Sequence, residues 1–158
     1  MRLGRADFSA EVPSGNETKT VRFPAEWPGD ALVIFPHLAK QLEANPEYDF
    51  WEGTLVKHAT LTAAGQLGCK GKPDEHGNIV IDYRVNPAFQ GRGYATEMVG
   101  ALTVWLLEQR GVTRVTWVTA ECLKTNIASA CVPQRTDFKL VGEMSVHEGS
   151  LLVWARTS

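Results

Sequence analysis

Cysteine is scarce in this 158-residue chain: Cys69, Cys122 and Cys131 make an odd number with no Cys-x-x-Cys spacing. That excludes a disulfide framework and a cysteine-based metal site, and the three read as buried free thiols. His37, His58, His76 and His147 lie in separate segments with no pair at helical spacing, so no metal is expected. Excess charge is missing too: 16 Lys and Arg against 18 Asp and Glu leave a net charge of −2 with no polybasic run. This argues against a nucleic-acid partner. The longest apolar stretches break within about ten positions, short of the roughly 20 that cross a bilayer, so no membrane association is expected. Residues 1–17 scatter Arg2, Arg5, Asp7 and Glu11 through a segment without a secretory-type apolar run; the resulting expectation is a cytoplasmic protein. Hydrophobic residues make up 44% and charged residues 22%, enough for a sizeable core in one domain spanning 1–158.

The first 16 residues, rich in Gly, Ser, Pro and charge, predict a loosely held arm. Thr20 to Phe23 predicts a short strand. Between Pro24 and Pro46 the prolines divide the apolar pattern into two short helical pieces, the second opened by Pro36. Trp51–Val56 and Gln66–Lys70 read as strands around a turn at Ala63-Ala64-Gly65. A run of breakers from Gly71 to Asn78 predicts a surface loop. Ile79, Ile81, Tyr83 and Val85 alternate with Val80, Asp82 and Arg84, giving a strand with one apolar face, ended by Asn86-Pro87. Met98, Val99, Leu102, Trp105 and Leu106 recur at helical offsets, with Gly111 as a stop. Val115–Thr119 predicts a strand, Asn126–Gln134 a helix, and Lys139–Val146 with Leu151–Ala155 a terminal hairpin. Strands, then strand-helix-strand-helix, then a hairpin suggest a mixed α/β sheet.

The chemistry concentrates between Val85 and Thr96, where a strand passes through Gln90-Gly91-Arg92-Gly93 into a helix opening at Tyr94-Ala95-Thr96. A helix N-terminus presents unpaired N–H groups and the positive end of the macrodipole, which attract phosphate oxygens. Arg92 adds positive charge and Thr96 a hydroxyl. A dinucleotide fingerprint fails because Thr96 stands at its third glycine, and a nucleoside-triphosphate loop fails because no Gly-Lys-Ser/Thr occurs.

Gln90-Gly91-Arg92-Gly93-Tyr94-Ala95 resembles the Arg/Gln-x-x-Gly-x-Gly/Ala loop of the GNAT superfamily of acyl-CoA-dependent N-acetyltransferases. The similarity runs from Gly77 to the Asn126-Ile127-Ala128-Ser129 segment and looks most like the branch with ribosomal-protein N-terminal acetyltransferases. It implies a mixed, mostly antiparallel sheet with splayed parallel central strands and flanking helices, and acetyl-CoA as co-substrate. By that resemblance the backbone of Tyr83, Arg84 and Val85 pairs with pantetheine, backbone N–H groups from about Gln90 to Ala95 hold the pyrophosphate with Thr96 also on the cofactor side, and Asn126 and Ser129 contact pantetheine or the sulfur. Asn126 reads equally as a helix cap. A hydroxyl such as that of Ser129, or water, would protonate the leaving thiolate.

The implied reaction is direct attack by a primary amine in a ternary complex, without an acyl-enzyme. Protein N-termini and small molecules such as polyamines, aminoglycosides and amino-acid-like metabolites are the open acceptor classes; a homodimer is compatible with the sequence but indicated by no pattern. An amine is largely protonated at neutral pH, so a base is needed. Many relatives carry Glu where this chain has Val80. Asp82, two residues on and on the same strand face, is one candidate base, with Arg84 as an alternative ion-pair partner; Glu121 is the second. The missing acid at Val80, and Arg135-Thr136-Asp137-Phe138 where a Leu-Gly-Phe ending is common, make a non-catalytic acyl-CoA-binding or sensor module of the same fold the alternative. Trp27 and Trp51 read as core aromatics or as acceptor-pocket walls.

Overall fold

The computed structural model describes residues 6–27, 35–120, 132–146 and 149–157. Among the described residues, eight strands and two longer helices follow in the order β1 (Phe8–Ser14), β2 (Glu17–Phe23), α1 (Phe35–Ala44), β3 (Glu52–Lys57), β4 (Thr62–Cys69), β5 (Asn78–Val85), α2 (Tyr94–Leu107), β6 (Arg114–Ala120), β7 (Lys139–Val146) and β8 (Gly149–Thr157). They form one mixed sheet ordered β1-β2-β4-β5-β6-β8-β7, with β3 also paired to β4. Most neighbours are antiparallel; β5 and β6 at the centre are parallel.

The alternation read in the sequence sets the layers. Ile79 and Ile81 are buried while Asp82 and Arg84 are exposed. The apolar face of β5 packs with Val115 and Trp117 of β6, Trp154 of β8, and Val99 and Leu106 of α2 into the main core. Trp51 packs against this core and meets Trp105 edge-on at 6.2 Å. A smaller cluster of Val21, Phe23 and Ala63 lies under β1 and β2, where Trp27 packs edge-on against Phe23 at 4.7 Å. Trp51 thus packs as a core aromatic, while Trp27, half-buried against the smaller cluster, also borders a cavity.

Three expectations are revised. The second half of the arm expected over 1–16 contains β1, which pairs along its length with β2; Ala10 and Val12, two apart, turn one face onto the smaller cluster. Ala63-Ala64-Gly65 lies inside β4, and the chain turns instead at residues 58–61, with Leu61 at φ 46°. The small residues serve packing. Ala63 and Ala64 are buried, Ala64 is the extra residue of a bulge opposite Leu55 and Val56, and a Cβ at Gly65 would collide with the Arg84 carbonyl. Helix α2 ends at Leu107, before Gly111.

The second helical piece opens with Pro36 at its second residue, as expected; residues 28–34, which hold part of the first piece, lie outside the described residues. Of Asn126–Gln134, residues 132–134 are described, and Val132 to Arg135 are helical. Asp137 follows at φ 61°, in the left-handed conformation. The Phe138 amide donates to the Pro133 carbonyl at 3.0 Å, a helix-closing bond. Asp137 therefore occupies the position where a glycine would be unstrained, and Phe138 still packs on Trp117.

Candidate functional site

The β5–β6 ladder runs from Asn78–Arg114 to Ile81–Trp117 and ends there. Beyond it, Asp82 to Val85 continue in register with β4 while β6 extends separately to Ala120. The central parallel strands thus splay. Two hydrogen bonds fix which main-chain groups face the opening: the Lys70 amide donates to the Val80 carbonyl at 2.7 Å, and the Asn86 amide to the Ala64 carbonyl at 2.8 Å. In an antiparallel ladder these positions alternate, so Val80, Asp82, Arg84 and Asn86 address β4, whereas Tyr83 and Val85 turn their N–H and C=O groups to the β6 side. The Arg84 backbone therefore faces β4, and its side chain is exposed.

From Val85 the chain passes through Asn86 into a short 3-10 turn, Pro87–Phe89, and then the glycine loop. The Gln90 amide donates to the Pro87 carbonyl at 3.2 Å, and its side-chain Nε2 donates to the Val85 carbonyl at 2.9 Å. Gln90 thus ties the loop to the strand end, and its amide is engaged. Gly91 and Gly93 have φ of 70° and 83°, a conformation that L side chains resist, and nothing lies within 4 Å of where a Cβ would stand. Gly93 caps α2 without side-chain help, and its carbonyl accepts from the Glu97 amide at 3.1 Å. Among the described residues no acceptor engages the amides of residues 91 to 96. Arg92 is exposed, with no acidic partner among the described residues. Six open amides, a helix N-terminus and a guanidinium can together bind a multiply charged anion.

Asp82 lies on the opposite face of β5 from Ile79, Ile81 and Tyr83. It opens into a cavity of about 430 Å³ bordered by His37 and Gln41 of α1, Glu52, Gln66, Asp82 and Arg84. His37 and Gln41, four apart, share one helix face. No ion pair joins Asp82 to Arg84, so both charged groups stand in the cavity without neutralising each other at contact distance. Val80 is half-buried on the same face, two residues toward the start of the strand.

The structure thus brings Asp82, Tyr83, Arg84 and Val85 together with Gln90, Gly91, Arg92, Gly93, Tyr94, Ala95 and Thr96 along one strand-loop-helix path. Glu121, Asn126 and Ser129 lie outside the described residues. Sequence reasoning missed His37, Gln41 and Glu52. Their only linear signal is polarity, because strand register and the placement of α1, not spacing, bring them to Asp82. Among the described residues no three His, Cys, Asp or Glu side chains gather as a metal-binding group, and no helix is long and apolar enough to cross a membrane.

A family model described as acetyltransferase (GNAT) domain matches residues 13–139. The chain belongs to the GNAT acetyltransferase family. It is 29% identical over 140 residues to an uncharacterized N-acetyltransferase, YjdG, of Bacillus subtilis, covering 86% of this chain and 77% of that protein. Among solved structures, the ribosomal-protein-S5-alanine acetyltransferase of Vibrio fischeri superposes with a TM-score of 0.65 at 14% identity, covering 78% of this chain and 70% of the other. RimL, a ribosomal L7/L12 α-N-protein acetyltransferase in complex with coenzyme A, gives 0.61 at 21% identity over 77% and 72% of the two chains. At these identities the two structures share the fold with this GNAT protein.

Proposed function

We propose that this GNAT protein transfers an acetyl group from acetyl-CoA to a primary amine by direct attack in a ternary complex. The observation that carries the reading is the position of β5 between two complementary spaces. On one side lie the splay from β6 and the open amides of residues 91 to 96; on the other lies the cavity into which Asp82 and Arg84 project. The residues fit coenzyme A: the loop amides and Arg92 suit its diphosphate, and the Tyr83 main-chain groups with the Val85 N–H on the β6 side suit the amides of its pantetheine arm. When bound, it supplies the acetyl group as a thioester.

The remaining work falls to the chain. Asp82 takes the proton of the incoming ammonium, directly or through one water, so that nitrogen presents its lone pair. The splay and the cavity meet at Asp82, so both partners are held at the same point of the sheet, and the rate gain comes chiefly from orientation. Asn126 and Ser129 complete the cofactor side in this reading, Ser129 or a water returning a proton to sulfur; Glu121 is the second candidate for the base. Protein N-termini and small amines are both acceptor classes for this reading.

The test is amine-dependent release of free CoA from acetyl-CoA, measured with an Ala-initiated peptide, spermidine, kanamycin and an amino-acid amide, with the acetylated product identified by mass spectrometry. Turnover with at least one amine supports the transferase. Tight CoA binding with no amine-dependent release across the panel would favour a non-catalytic acyl-CoA-binding module, the reading that the apolar Val80 motivates.

A further inference from the structure

Glu52, Gly68 and Asp82 stand in one row across β3, β4 and β5: Glu52 pairs with Gly68, and Gly68 pairs with Asp82. Directly paired residues share a face, so all three address the cavity beneath α1. Gly68 has no side chain to fill its place, and a Cβ built there would overlap the Glu52 carboxylate. The carboxylate has therefore crossed from its own strand to lie over β4. Side chains directly opposite on adjacent strands have Cβ atoms about 5 Å apart, so the Glu52 carboxylate stands roughly one strand spacing from Asp82. Glu52 also borders a second cavity, of about 630 Å³, lined by Val12, Val21, Trp27 and Val56 beneath the β1–β2 ribbon. It stands at the join of the two spaces.

We propose that Glu52 determines acceptor specificity, its carboxylate binding the ammonium group of a cationic primary amine and presenting it to Asp82. This deepens the transferase reading and rests on it. The row geometry allots the two carboxylates different tasks: Glu52, reached first from the second cavity, holds the charged amine, and Asp82, beside the splay, takes the proton. The acceptor's substituent extends past Glu52 toward the space walled by Val21, Trp27 and Val56. Glycine at position 68 is the device that makes this placement available.

The experiment uses the full chain and whichever amine of the panel above turns over best. Glu52→Gln is expected to raise the acceptor KM roughly tenfold or more, as loss of a charge-assisted contact does, while CoA affinity by calorimetry stays within about twofold. Gly68→Ala keeps every charge but displaces the flexible end of Glu52, and is expected to raise the acceptor KM in the same direction with Tm little changed. Absence of turnover by the unmodified chain with any amine overturns the transferase reading. An active unmodified chain whose two variants keep its acceptor KM overturns the role of Glu52 alone, as does a loss of CoA affinity in both variants matching the loss of activity.

Discussion

The main-chain carbonyl of Val85 accepts from the side-chain amide of Gln90 at 2.9 Å, a bond that ties the last residue of β5 to the loop into α2. In the proposed complex the strand end and the open amides grip different parts of one ligand, and this bond sets the distance between them. Gln90→Ala is expected to weaken CoA binding about three- to tenfold, the worth of one neutral hydrogen bond. Because Gln90 is exposed, Tm should hardly change. Calorimetry showing unaltered affinity would remove Gln90 from this role.

Asp82 has a distinct kinetic signature. If it takes the proton of the acceptor, Asp82→Asn should depress the rate by about 10²-fold or more near neutrality. The loss should shrink toward alkaline pH, where the amine is already neutral. Parallel pH–rate profiles for the two proteins would eliminate Asp82 as the base and turn attention to Glu121.

Burial, and secondarily the charge of Glu52, push the Cys69 thiol from 9.0 up to about 12. The unfolded chain thus loses this proton before the folded one does. Between about pH 9 and 12 the folded state binds more protons, so the contribution of Cys69 to stability is full below pH 9 and declines as pH rises through that window. Chemical denaturation should show unmodified protein losing about 1–2 kcal/mol more than Cys69→Ala between pH 8 and about 10.5. Equal losses would mean that the thiol is not shielded as described.

Asp137 adopts φ 61° where glycine would be unstrained, and its pair with Arg156 is long, at 3.9 Å. An exposed ion pair of this length contributes little, while the left-handed conformation costs an L residue about 1 kcal/mol. Asp137→Gly should therefore raise stability by about 0.5–1 kcal/mol in urea unfolding. A destabilised variant would show that the ion pair outweighs the strain.

The centre of the sheet was legible because its signals are local. The alternation from Ile79 to Val85 names its own buried face, and the glycines, Arg92 and helix start from Gln90 to Thr96 make a contiguous pattern. Those residues carried the GNAT resemblance and the splayed-sheet architecture. Elsewhere small residues misled: Ala63-Ala64-Gly65 has the composition of a turn, yet it is a bulge shaped by the nearness of the Arg84 backbone. In β1 Phe8, Ala10 and Val12 alternate with Ser9 and Glu11, but Gly4, Pro13, Ser14 and Gly15 around them carry the composition of an arm, and the pairing with β2 is not written in the local pattern. Glu52 lies 30 positions before Asp82; two strand registers bring them together, and no linear motif encodes such a pair.

The most direct test is calorimetric titration of coenzyme A into the unmodified chain and into Gly93→Asp. Gly93 stands at the N-terminus of α2 amid the open amides, so a carboxylate there repels the diphosphate and a side chain strains the left-handed backbone. Measurable binding to the unmodified chain is expected, with affinity lower by more than about tenfold in the variant and the two proteins unfolding within a few degrees of each other. Equal affinities in the two folded proteins would contradict a diphosphate site at this loop.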